Sequence, residues 1–171
     1  MGPIEVFFLV VIGLFGAIGI VRGYQRDLGV TTMLLLALFV LTFIPDYLGD
    51  QLASVMTTLG VSQSSAETVY AIFATVLLCI VAFISYHGVG LLFPGSGRNW
   101  FVSLLVGLLN GYLFAGSIWW YLNDAGWPLD TVVETYSSTY QFLIQLMPPA
   151  IFSWPYFILL AVGMLILRVV R

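Results

Sequence analysis

Two long apolar stretches, about residues 4–21 and 28–44, are separated by a dense run of charge, Arg22-Gly23-Tyr24-Gln25-Arg26-Asp27. Three further stretches, about 66–93, 100–122 and 151–170, repeat the apolar pattern between polar connections. A bilayer core is about 30 Å thick, and a helix needs about 20 mainly apolar residues to cross it. The pattern therefore predicts an all-α polytopic membrane protein with five transmembrane helices over these spans. Backbone polar groups facing lipid must be satisfied within their own segment, which makes helices the expected form. The second stretch is rather short, and the third is long enough to cross at a tilt.

Two connections carry a helical pattern of their own. In the first, Leu48, Leu52, Val55, Met56 and Leu59 recur at helical spacing opposite Asp50, Gln51, Ser54, Thr57 and Thr58. In the second, Leu129, Val132, Val133, Tyr136, Tyr140, Leu143, Ile144 and Met147 form a stripe opposite Asp130, Glu134, Ser137, Ser138, Gln141 and Gln145. Both predict amphipathic helices, about 47–60 and 130–147, lying in the membrane interface. Thr131 with Glu134, and Ser64 with Glu67, have capping-box spacing at helix starts. Pro148-Pro149 and Pro155 are expected to break the chain before the last span.

Charge then orders the spans. Arg22 and Arg26 follow span one, Arg98 follows span three, and Arg168 and Arg171 close the sequence, so all five arginines fall on one side. Glu5, Asp46, Asp50, Glu67, Asp124, Asp130 and Glu134 fall on the other, leaving only Asp27 with the arginines. The positive-inside rule makes the arginine side cytoplasmic, giving N-out/C-in with both interfacial helices on the outer face. Tyr47, Tyr70, Trp119, Trp120, Tyr121, Trp127, Trp154 and Tyr156 fall near outer ends, and Tyr24, Tyr86 and Trp100 near inner ends, where amphipathic rings prefer the headgroup level.

Composition agrees with this pattern. Of 171 residues, 61% are hydrophobic and 8% are charged, so lipid must cover a surface that polar groups cannot. With five basic residues against eight acids, there is no basic patch for nucleic acid. The single cysteine, Cys79, sits in an apolar run and is expected to act as a small hydrophobe. Glu5 precedes the first apolar stretch where a secretory signal would carry positive charge, so that stretch is expected to remain and span. Val6 stands where N-myristoylation wants Ser or Thr.

The residues that could carry function are few. Gly13, Gly16, Gly19 and Gly23 line span one, and Gly107, Gly111 and Gly116 line span four. Small residues four apart let helix backbones approach, either within one molecule or at a homodimer seam. Asn110 is the most polar residue near the middle of any span, and needs an interhelical partner or a substrate. His87 is expected to hydrogen-bond a neighbour, with ligation of haem or chlorophyll as the alternative. No cofactor and no metal site is predicted. There is no phosphate loop, no Ser/His/Asp set and no Cys/His cluster with metal spacing, so an enzyme is not expected. Gly19-Ile20-Val21-Arg22-Gly23-Tyr24 is echoed by Gly107-Leu108-Leu109-Asn110-Gly111-Tyr112 on an oppositely directed span, an arrangement that would suit an inverted repeat.

The run Arg22-Gly23-Tyr24-Gln25-Arg26-Asp27, after a first helix opened by Glu5, resembles the R-G-aromatic-x-R-acid turn of the CvpA (colicin V production protein) family of bacterial inner-membrane proteins. Residues 100–111 are similar to that family's later G-x-x-x-G segment. That segment usually carries Asp-Arg at its entrance and Arg before its last glycine, where this chain has Asn99-Trp100 and Asn110. The resemblance covers about residues 4–122. It implies a multi-pass protein of the bacterial inner (cytoplasmic) membrane, linked to envelope homeostasis and to production of secreted factors. Activity would then run through membrane packing or through partners, which are other membrane proteins or a second copy. Arg22, Arg26, Asp27 and Arg98 would set topology and meet partners or anionic lipid, each arginine near the surface contributing about 1 kcal/mol. Two other readings stand beside this one. The chain could be an accessory transmembrane subunit of an energy-transducing complex, respiratory or photosynthetic, or it could be a small transporter.

Overall fold

The computed structural model describes residues 3–58, 63–88, 91–94, 99–127 and 137–170. Among them every regular element is a helix: α1 (Pro3–Arg22), α2 (Tyr24–Thr58), α3 (Gln63–His87), α4 (Trp100–Gly111), a π-helical turn (Tyr112–Gly116), α5 (Ser117–Asp124), α6 (Ser138–Ile144), α7 (Pro148–Ile151) and α8 (Trp154–Val170). Four stretches are long and apolar enough to cross a membrane: Ile4–Arg22, Tyr24–Gln51, Ser65–His87 and Trp100–Asp124. α4, the π turn and α5 form the last of these as one rod. The outward faces are apolar along their length, with Phe7, Val10, Leu14, Phe73, Ile80 and Leu159 all exposed. Lipid is the solvent such a surface fits.

α1 ends and α2 begins across one residue, Gly23. Its φ of 86° lies in the left-handed region, and its N–H donates to the Gly19 carbonyl at 2.8 Å. A side chain there would be strained, which is why this hairpin needs glycine.

α2 differs most from the expected pattern. A span ending near residue 44, followed by a separate interfacial helix over 47–60, becomes a single helix of 35 residues that passes through Pro45. Proline removes one backbone donor and leaves the carbonyl four residues earlier unbonded. That carbonyl belongs to Leu41, and it accepts a hydrogen bond from the Tyr70 hydroxyl of α3. The freed group is satisfied across the interface, so the helix has no reason to break. At 1.5 Å per residue α2 is about 50 Å long and exceeds a bilayer core.

The core sits where α2 packs on α3, α4 and α8, with α5 closing it from α3. Leu34, Leu38, Leu41, Ala74, Leu78, Phe157 and Ala161 are fully or almost fully buried there. α8 lies along the first part of α2, between about residues 25 and 47. Its first residue, Trp154, packs on Phe39, Phe43 and Tyr47. Near its other end, Arg168 donates to the Leu92 carbonyl at 3.1 Å, beside the bond from Phe93 N–H to the Gln25 carbonyl.

Of the second amphipathic stripe, residues 137–147 are described, and α6 covers Ser138–Ile144. Thr131 and Glu134 lie outside the described residues, as do Arg98 and Arg171. Trp119 and Tyr121 are not interfacial anchors. They turn into the bundle and are 2% and 3% exposed, because the α4–α5 rod is flanked on both sides by α1 and α3.

Candidate functional site: a buried polar cluster at the arginine end

α1 and α4 form the closest helix pair. A Cβ on Gly107 would lie 2.5 Å from the Phe15 carbonyl oxygen and 3.0 Å from the Gly16 Cα. One on Gly111 would lie 2.8 Å from the Ile12 Cα, and one on Gly19 would lie 2.9 Å from the Gly107 Cα. Gly16 meets the side chain of Leu108 instead. Gly16, Gly19, Gly107 and Gly111 thus meet across α1 and α4 within one molecule, whereas Gly13 and Gly23 face open space and Gly116 meets Met147 and Pro148.

That close approach brings polar groups of four helices together. Asn110, fully buried on α4, donates through Nδ2 to the Asp27 carbonyl at 3.0 Å. Its Oδ1 lies 2.7 Å from the Thr31 hydroxyl, which is 3.0 Å from the same Asp27 carbonyl. The first N–H of α2, on Tyr24, donates to the Ser103 hydroxyl at 3.0 Å. Ser103 in turn reaches back to the Asn99 carbonyl at 2.9 Å. Asn99 caps α4, its Oδ1 accepting from Phe101 and Val102 N–H. An unbonded helix terminus inside a bundle would be unfavourable, so one serine and one asparagine close both starts.

Arg22 and Asp27 complete the cluster. Arg22 Nε is 4.0 Å from Asp27 Oδ1, with the arginine side chain 18% exposed and the aspartate fully buried. The guanidinium lies 4.4 Å from the centroid of the Tyr86 ring on α3, and Nη2 donates to the Ser85 carbonyl at 3.3 Å. The Tyr86 hydroxyl approaches Asn110 without closing a well-formed hydrogen bond. Neither carboxylate oxygen of Asp27 has a hydrogen-bond partner among the described residues.

The expected turn residues therefore separate. Arg26 is exposed, but Asp27 is unavailable to lipid or partner, contrary to its expected place at the surface. The physical reason is that α2 starts immediately after Gly23, so Asp27 already falls on the inward face one turn in. His87 stays outside the cluster: it is exposed, stacks on Phe83 at 4.3 Å, and holds Nδ1 3.2 Å from the Phe83 carbonyl oxygen. Thr31, Ser85 and Ser103 were not singled out by sequence, and Tyr86 was read only as an inner-end aromatic. Thr31 was within reach, since it follows Asp27 by four positions and shares its helix face. No local signal marks Tyr86 as part of the cluster.

A second polar group lies at the opposite end of α1. Glu5, 1% exposed, accepts from the Ser137 hydroxyl, which also caps α6 through Tyr140 N–H. Tyr140 donates to Asn123 at 2.6 Å and accepts from Trp127 Nε1 at 2.9 Å. Trp127 has a φ of 52°, uncommon for a bulky residue, and borders an apolar groove of about 470 Å³ between α1, α3 and the α4–α5 rod.

The fold and its buried cluster thus define an all-helical bundle with, among the described residues, four helices long and apolar enough to cross a bilayer, closed at one end by an Arg/Asp/Tyr/Asn network. Comparison with known protein families, with curated proteins and with solved structures finds no match.

Proposed function

We propose that the chain is a CvpA-like protein of the bacterial inner membrane, with five spans, its N-terminus outside, and its action exerted through partners in envelope homeostasis and secreted-factor production. The observation that carries this reading is spatial. The two stretches that resemble the family, residues 22–27 and 100–111, lie far apart in sequence yet pack on one another through Tyr24 to Ser103 and Asp27 to Asn110. The departure at Asn99 is also mild in physical terms, because asparagine caps a helix start about as well as aspartate. The fifth span rests on α8, whose ends lie level with residues 39–47 and 25 of α2. The orientation rests on Arg22, Arg26 and Arg168 sharing one end of the bundle.

Complementation tests the reading. In a bacterium whose own CvpA-family gene is deleted, this chain should restore both the permeability barrier to an apolar dye and the yield of a secreted bacteriocin. Arg22→Gln should insert normally and fail to restore either. Normal insertion of the unaltered chain with neither defect repaired would refute the proposal.

A further inference from the structure

We propose that Asp27 is a proton-binding site, and that the proton it holds keeps Arg22 clasped to α3. This inference rests on the geometry of the cluster and not on the family resemblance. An ionised carboxylate is an acceptor with about four lone-pair sites to fill. Asp27 is fully buried, and neither oxygen receives a donor among the described residues. Asn110 Nδ2 donates to the Asp27 main-chain carbonyl and not to its carboxyl group. On the α1 side the carboxyl group packs against bare backbone, since a Cβ on Gly19 would lie 2.8 Å from Oδ2. A buried carboxylate left in this condition neutralises by taking up a proton.

The position of Arg22 points the same way. A charge-assisted bond to a carboxylate is about 2.7–2.9 Å long, whereas Arg22 stands 4.0 Å from Asp27. Its charge is committed to α3 instead, over the Tyr86 ring and on the Ser85 carbonyl. Among the described residues, the ionisable groups facing Asp27 are Arg22 from α1 and Tyr86 from α3. α4 offers only Ser103, Gly107 and Asn110, residues 91–94 carry no ionisable side chain, and Arg26 on α2 itself is exposed.

Uptake is a simple transfer. A hydronium ion at the arginine end breaks one O–H bond, Asp27 forms one, and a water molecule leaves; release runs in reverse with water as base. Once Asp27 is ionised, the guanidinium is drawn across the 4.0 Å gap and off the Tyr86 ring and Ser85 carbonyl. Proton release thereby loosens α3 from α1.

Infrared spectroscopy of the full chain in bacterial-lipid nanodiscs, labelled with ¹³C-aspartate and scanned over pH, tests the site. The carbonyl stretch of a protonated carboxyl group should appear with the isotope shift, fade as pH rises, and be missing in Asp27→Asn. If that variant does not fold, Asp27→Glu should move the band from the aspartate label to a glutamate label. A nitroxide pair at Ile18→Cys and Ile80→Cys, in a Cys79→Ser background, reads the clasp. Its distance should lengthen as the band fades, and remain short at all pH values in Asp27→Asn. Absence of a protonated band belonging to residue 27 overturns the site. A titrating band with no change in distance overturns its coupling to α3.

Discussion

The passage of α2 through Pro45 rests on a single side-chain hydroxyl, and this can be measured. Tyr70→Phe keeps the ring, with its contacts to Phe73 and Tyr121, and removes only the donor to Leu41. Leu41 has no exposure, so its carbonyl is left unsatisfied in an apolar setting. Interhelical hydrogen bonds in membrane bundles contribute about 0.6 kcal/mol on average and about 1.7 at most. Tyr70→Phe should therefore lower the folding constant by about three- to eighteen-fold. The same substitution made on Pro45→Ala should have almost no effect, because residue 45 then supplies its own N–H to Leu41. A double-mutant cycle isolates this coupling from whatever Pro45→Ala does alone. Reversible unfolding in mixed detergent and dodecyl sulfate micelles, followed by far-ultraviolet circular dichroism, gives all four stabilities. Equal loss from Tyr70→Phe in both backgrounds would refute the reasoning, and so would no loss in either.

The glycine seam predicts a contrast within one residue type: Gly107→Ala, whose Cβ meets the Phe15 backbone at 2.5 Å, should destabilise by about 1–3 kcal/mol. Gly13→Ala and Gly163→Ala, which face open space, should change stability by less than about 1 kcal/mol in the same assay. Asn110→Leu removes two buried hydrogen bonds and should cost about 1–3 kcal/mol, with faster hydrogen exchange at the start of α2. For topology, in a Cys79→Ser background, Arg26→Cys and Val170→Cys should react with an impermeant maleimide only from the cytoplasmic side, and Ser138→Cys only from outside. Labelling of Val170→Cys from outside would show that α8 does not cross.

The helical class of this protein was legible in its sequence because apolar length is a local property. Residues 4–21 and 100–122 read as spans from composition alone, and α1 and the α4–α5 rod follow them closely, whereas α3 ends at His87, six residues short of the expected end at 93. Gly23 was read as one more packing glycine of span one, but nothing packs against it; it closes the α1–α2 turn in the left-handed region. What only the tertiary structure decided is which polar groups find each other. The second span was expected to end near residue 44, but a tyrosine on another helix satisfies the carbonyl that Pro45 frees, and α2 runs on. Asp27 read as part of a surface turn until the direct start of α2 rotated it inward, against Gly19 and beneath Asn110. Glycine spacing on α1 and α4 was visible, but that the two stripes face one another depends on how both helices pack. In lipid an apolar face gives little indication of its neighbour, whereas each buried hydrogen bond requires a particular one.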